Sequence, residues 1–140
     1  MSTERRYTKP TDRIGHTLAA TVANTNRDGS GTVYLCYTVK NAGGEFIDRI
    51  AVESLGTNAA TEVVILGSNG QGVANTRNNY ILGNVAMLAT TLGTALASDR
   101  AILTVRAWLP LGHEIYGLVH ATQAAGRQFV CYSDSSYQVY

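Results

Sequence analysis

Apolar and polar positions alternate with period two along two stretches of the chain. In residues 32–40 (TVYLCYTVK), Val33, Leu35, Tyr37 and Val39 fall on one side, and Thr32, Tyr34, Cys36, Thr38 and Lys40 on the other. In residues 101–109, Leu103, Val105, Ala107 and Leu109 share one side, with Thr104 and Arg106 opposite. Successive strand side chains point to opposite faces, so each stretch predicts a half-buried strand. Residues 62–66, 113–121 and 127–133 add strands of ordinary length. Two segments carry mixed signals. Residues 46–55 suit a helix at 46, 47, 50 and 51 and a strand at Ile50, Val52 and Ser54. They follow the turn 41–44 (NAGG) at hairpin distance from 32–40, which predicts a strand paired with it. In residues 84–97, Val85, Leu88, Leu92 and Leu96 have helical spacing, but Thr90, Thr91 and Gly93 dilute helix propensity, and an extended segment is expected.

Clusters of turn residues punctuate these runs: 24–31 (NTNRDGSG), 41–44, and 67–72 (GSNGQG) followed by the polar run 75–79. Gly supplies positive φ, and Asn and Asp bond their own backbone, so each cluster predicts a loop. Residues 1–12 lack period-two patterning and carry Arg5, Arg6 and Lys9 around Tyr7, ahead of the break at Pro10. Such a composition cannot bury a core and reads as an extended N-terminal arm. Residues 13–140 then form a single all-β domain, an antiparallel β-sandwich of seven or eight strands.

The 140 residues carry a formal net charge of +1, and 15% are charged. A dedicated nucleic-acid binder shows a basic stripe, which is missing, so no nucleic-acid partner is expected. Apolar runs such as 63–66 are too short to span a bilayer, so no membrane partner is expected either. The N-terminal residues lack the apolar segment of a secretory signal, which points to synthesis in a cytoplasm. Low charge also lowers the desolvation cost of association, and the eight Tyr suit protein interfaces. Tyr and Thr are equally good strand formers, so the composition is open to both readings.

Candidate chemistry is thin. Cys36 and Cys131 lack C-x-x-C spacing and are expected as free, reduced thiols on strands. His113 and His120 differ by an odd number, fall on opposite faces of one strand, and would not share a metal. No G-x-S-x-G elbow occurs, and 67–72 lacks the lysine and following helix of a phosphate loop. Asp48 with Glu53 or Glu62 could be a glycosidase pair, but spacing along strands fixes no separation between them. Asp48–Arg49 and Asp99–Arg100 are expected to solvate strand starts. Trp108, the lone Trp, could stack on a sugar, anchor an interface, or half-bury at a strand end. No catalytic residue, cofactor or metal is expected, and the chain is not expected to be an enzyme.

Three stretches in order, 32–44 (TVYLCYTVKNAGG), 47–65 (IDRIAVESLGTNAATEVVI) and 109–137 (LPLGHEIYGLVHATQAAGRQFVCYSDSSY), resemble small β-sandwich proteins among the structural genes of tailed bacteriophages. That resemblance implies a jelly-roll-like sandwich acting as a capsid decoration (cement) protein. It would sit on the outer capsid surface of the virion, with the major capsid protein and copies of itself as partners. Leu111 stands where those proteins commonly carry a small residue, and SSYQVY runs past their usual end. The alternatives are a tail, collar or connector accessory, and a carbohydrate-binding module. Residues expected to meet partners are Arg5, Arg6, Tyr7 and Lys9 of the arm, Trp108, and Tyr137 and Tyr140 near the C-terminus.

Overall fold

Strands form wherever β-branched and aromatic residues alternate, and Gly, Asn and Asp clusters end them. The computed structural model describes residues 13–91 and 100–134. Eight strands occur there: β1 (Arg13–His16), β2 (Tyr34–Thr38), β3 (Glu45–Ser54), β4 (Thr61–Ser68), β5 (Asn79–Met87), β6 (Arg100–Leu109), β7 (Glu114–Val119) and β8 (Arg127–Asp134). A 3-10 turn, Thr76–Asn78, precedes β5, and no α-helix occurs among the described residues. The strands make two four-stranded sheets, ordered β1-β8-β3-β6 and β2-β7-β4-β5, with antiparallel neighbours throughout. The expected arm, residues 1–12, lies outside the described residues, as do 92–99 of the second ambiguous segment.

One core takes side chains from both sheets. Ile47, Ile50, Val52, Phe129 and Cys131 come from the first sheet, and Val63, Ile65, Ile115 and Val119 from the second. The alternation of β6 holds: Leu103 and Val105 pack on this core and Leu109 is buried, while Thr104 and Arg106 are exposed. Residues 46–55 form a strand as expected; of the expected loop 67–72, Gly67 and Ser68 end β4 and 69–72 lie in the loop joining the β4–β5 hairpin.

Three expectations are corrected. The turn 41–44 does not close a hairpin, because β2 pairs with β7 and β3 pairs with β6 and β8. It carries the chain from one sheet to the other, a route that local turn chemistry does not distinguish from a hairpin. The single apolar face of 32–40 is also broken. A bulge between Leu35 and Tyr37 inserts Cys36 as an extra residue, so Cys36 is buried while Leu35 is 47% exposed. Asp48–Arg49 sits not at a strand start but inside β3, at the irregularity between Ile47 and Arg49.

Candidate interaction face

The outward faces of the two sheets differ. On the second sheet, Val64 pairs with Leu118 and Leu66 with Tyr116, which puts all four on one face. All four are buried in a separate cluster, with Val33 and Val73 packed over them. The loops on either side hold this cover. Asn24 donates from Nδ2 to the carbonyls of Ser30 and Thr32, both at 2.8 Å, and its backbone N–H donates to Val119 O at 2.8 Å. Asn79 Nδ2 donates to Asp28 O at 2.8 Å and Val73 O at 2.7 Å, joining the two loops. Arg27 pairs with Glu62. Hydrogen bonds from Asn84 and Arg27 hold the Glu62 carboxyl below its ordinary range.

The outward face of the first sheet has no such cover among the described residues. Register places Ile14, Tyr132, Arg49 and Thr104 in one row across β1, β8, β3 and β6, and His16, Val130, Ala51 and Ile102 in the next. Phe46 lies opposite Trp108 further along. Ile14 is 62% exposed, Ile102 53% and Trp108 44%. The charges on this face are largely matched within it. Arg49 donates to Asp48 at 2.6 Å and lies over the Tyr132 ring, 4.1 Å from its centroid; Arg100 pairs with Glu53 at 2.7 Å. Arg106, with φ +49, has no ion-pair partner among the described residues. The Trp108 indole is anchored, donating from Nε1 to Gly43 O at 3.0 Å. Gly44 (φ +85) makes this possible, since a Cβ there would collide with the indole. Trp, Tyr and Arg on a rigid apolar surface are the residue types that dominate binding energy at protein interfaces.

Beside this face, a shallow cleft of about 580 Å³ opens between β1 and β2, lined by Ile14, His16, Leu35, Tyr37 and Lys40 among others. Gly15 forms its floor, where any side chain would strike Cys36 O and Tyr37. Cys36 lines it as well, with its thiol buried. Both cysteines are free and buried, and burial pushes the Cys36 thiol up to about 12 and Cys131 upward as well. Both therefore stay protonated and unreactive at neutral pH. His113 accepts or donates at Nδ1 to the Tyr80 hydroxyl (2.8 Å), while His120 sits by Glu62, 3.9 Å away. Among the described residues no three His, Cys, Asp or Glu side chains gather to hold a metal. The acids suggested as a glycosidase pair each have a basic partner: Asp48 with Arg49, Glu53 with Arg100, Glu62 with Arg27. No helix among the described residues is long and apolar enough to cross a membrane.

Of the residues expected to meet partners, Trp108 lies on the bare face. Arg5, Arg6, Tyr7, Lys9, Tyr137 and Tyr140 lie outside the described residues. Sequence reasoning passed over Ile14, Phe46, Ile102, Val130 and Tyr132. The signal for two of the bare-face residues was present, because Ile102 and Trp108 are apolar residues at outward positions of β6. No family model, curated protein or solved structure matches the chain.

Proposed function

We propose that this chain is a jelly-roll structural protein of a tailed-phage virion, a decoration protein that binds the outside of the head and bridges major capsid proteins. The observation that carries the reading is the bare, charge-matched apolar face of the β1-β8-β3-β6 sheet. Exposed apolar patches rimmed by polar residues mark interaction surfaces, and this one offers such anchors. The strand order supports the fold. The pairs β1/β8, β2/β7, β3/β6 and β4/β5 are those of one long antiparallel ribbon rolled up, the winding of a jelly roll. That architecture serves viral capsids and lectins alike, so the fold alone does not choose between them. The family resemblance in residues 32–44, 47–65 and 109–137 favours the virion.

The mechanism is mechanical. Each copy adds contact area across a seam between coat subunits, and many weak contacts summed over a lattice resist internal pressure. Arg5, Arg6 and Lys9 pair with acidic groups of the shell, and Tyr7 fills a pocket between them. Adding the purified chain to heads made without it tests the reading. Saturable density over the whole shell by electron microscopy, with heads surviving higher temperature, is the expected result. Removing residues 1–12 is expected to weaken attachment, most at raised salt. Density at a single vertex or on the tail replaces this reading with the tail or connector accessory. Trp108-dependent binding to glycans and none to heads replaces it with the carbohydrate module.

A further inference from the structure

We infer that a second copy of this chain covers the bare face, the two β1-β8-β3-β6 sheets stacking outward face to outward face. The inference rests on the assembly reading and assigns this face to contact between copies, with attachment to the shell left to the arm, but its physical basis is independent of any phage head. Antiparallel sheets pack face to face about 10 Å apart when both present apolar side chains. Here apolar residues reach from one edge strand to the other: Ile14 on β1, Val130 and Tyr132 on β8, Phe46 on β3, Ile102 and Trp108 on β6. A two-fold contact must be self-complementary. The face meets that demand, because Asp48–Arg49 and Glu53–Arg100 neutralise each other within one copy. Two such faces therefore meet without a net like-charge penalty. Arg106 has no ion-pair partner among the described residues, and it lies on the edge strand β6, where solvent screens it.

Area supports the same occupant and limits its strength. Four strands about 4.8 Å apart and residues about 3.3 Å apart along each give a face of roughly 19 Å by 25 Å. Two copies would together bury on the order of 1,000 Å², which just reaches what a specific interface needs. The pair is therefore a reversible dimer that forms with rising concentration and persists where copies are held close, as on a lattice.

Sedimentation equilibrium of the full chain, from low micromolar to several hundred micromolar, is the test. The average mass should climb from 15.0 kDa towards twice that value. Ile102→Lys and Ile14→Lys, at opposite edges of the face, should each raise the concentration for half-dimerisation at least tenfold while leaving the far-ultraviolet spectrum and melting temperature unchanged. Ile81→Lys is the control, an exposed isoleucine on β5 of the other sheet, and should dimerise like the wild type. A wild type that stays at 15.0 kDa throughout overturns the inference and leaves the face to a coat protein or other partner. Dimerisation lost equally in Ile81→Lys overturns it too. A chain that dimerises through this face but ignores phage heads keeps the inference and removes the decoration role, whereas a monomer that coats heads does the reverse.

Discussion

The outward faces of the two sheets start from similar material and end differently. Both belong to antiparallel four-stranded sheets over one shared core. On the second sheet, Val64, Leu66, Tyr116 and Leu118 are roofed by Val33 and Val73 and by loops bound through Asn24 and Asn79. On the first, Ile14, Ile102 and Trp108 stand in solvent. The same residue types therefore act as core in one place and stand exposed in the other. Among the described residues, what separates them is whether a loop, polar in the right places, returns over the sheet. The roofed face contributes to folding of the isolated chain. The bare face contributes little to it, because its side chains stay in solvent.

The contrast can be broken most directly by truncating one side chain on each face. Leu118→Ala, fully buried on the roofed face, should cost about 2–4 kcal/mol in urea unfolding. The matching Ile102→Ala on the bare face should change stability by no more than about 0.5 kcal/mol, measured where the chain is monomeric. Equal losses would mean that the two faces do not differ as described. Next in size is the roof itself. Asn24→Ala removes three side-chain hydrogen bonds, two donated by Nδ2 and one accepted by Oδ1 from the Asn26 N–H, and should cost about 1–2 kcal/mol, with faster amide exchange confined to the loop after β1 and the end of β7.

A smaller effect, of opposite sign, is expected on the bare side. Arg106 holds a left-handed φ of +49 that glycine adopts without penalty. Arg106→Gly should therefore raise the unfolding midpoint, by an amount worth about 0.5 kcal/mol. A lowered midpoint would mean that the arginine side chain has a stabilising role in the fold. The smallest effect is on pH dependence. Hydrogen bonds from Asn84 and Arg27 depress the folded Glu62 carboxyl, so its stabilisation is present above its unfolded pKa and is lost as pH falls through the lower folded value. In Glu62→Gln that part of the acid limb should be missing from the stability profile, while the bare-face variants keep it.

Some of this comparison was readable in the residues. The unbroken run Val63–Val64–Ile65–Leu66 is what a strand buried on both faces looks like, and β4 is buried on both. The cleaner alternation of β6 marks a strand with one face outside, and its outward positions already hold Ile102 and Trp108. The clusters 24–31 and 67–72 were legible as loops, apart from Gly67 and Ser68, which end β4, but not as the roof of a sheet. Asn24 and Asn79 act through partners brought close by strands elsewhere in the chain, and no local pattern records such distances. The turn 41–44 misled for a related reason. Its residues specify a change of direction, and only the pairing of β7 with β2 and of β6 and β8 with β3 decides which sheet the chain enters next.

The sequence by itself determined that this is a β protein and where most strands run. Those properties follow from side-chain shape and period-two burial, which act over a few residues at a time. The tertiary structure decided the rest: the wrapping of four antiparallel pairs, the bulge that turns Cys36 inward, and the assembly of Ile14, Tyr132, Phe46, Ile102 and Trp108 into one face. Those residues come from four strands spread across the chain. They meet only because cross-strand register, set by non-local hydrogen bonding and by burial of the opposite face, aligns them.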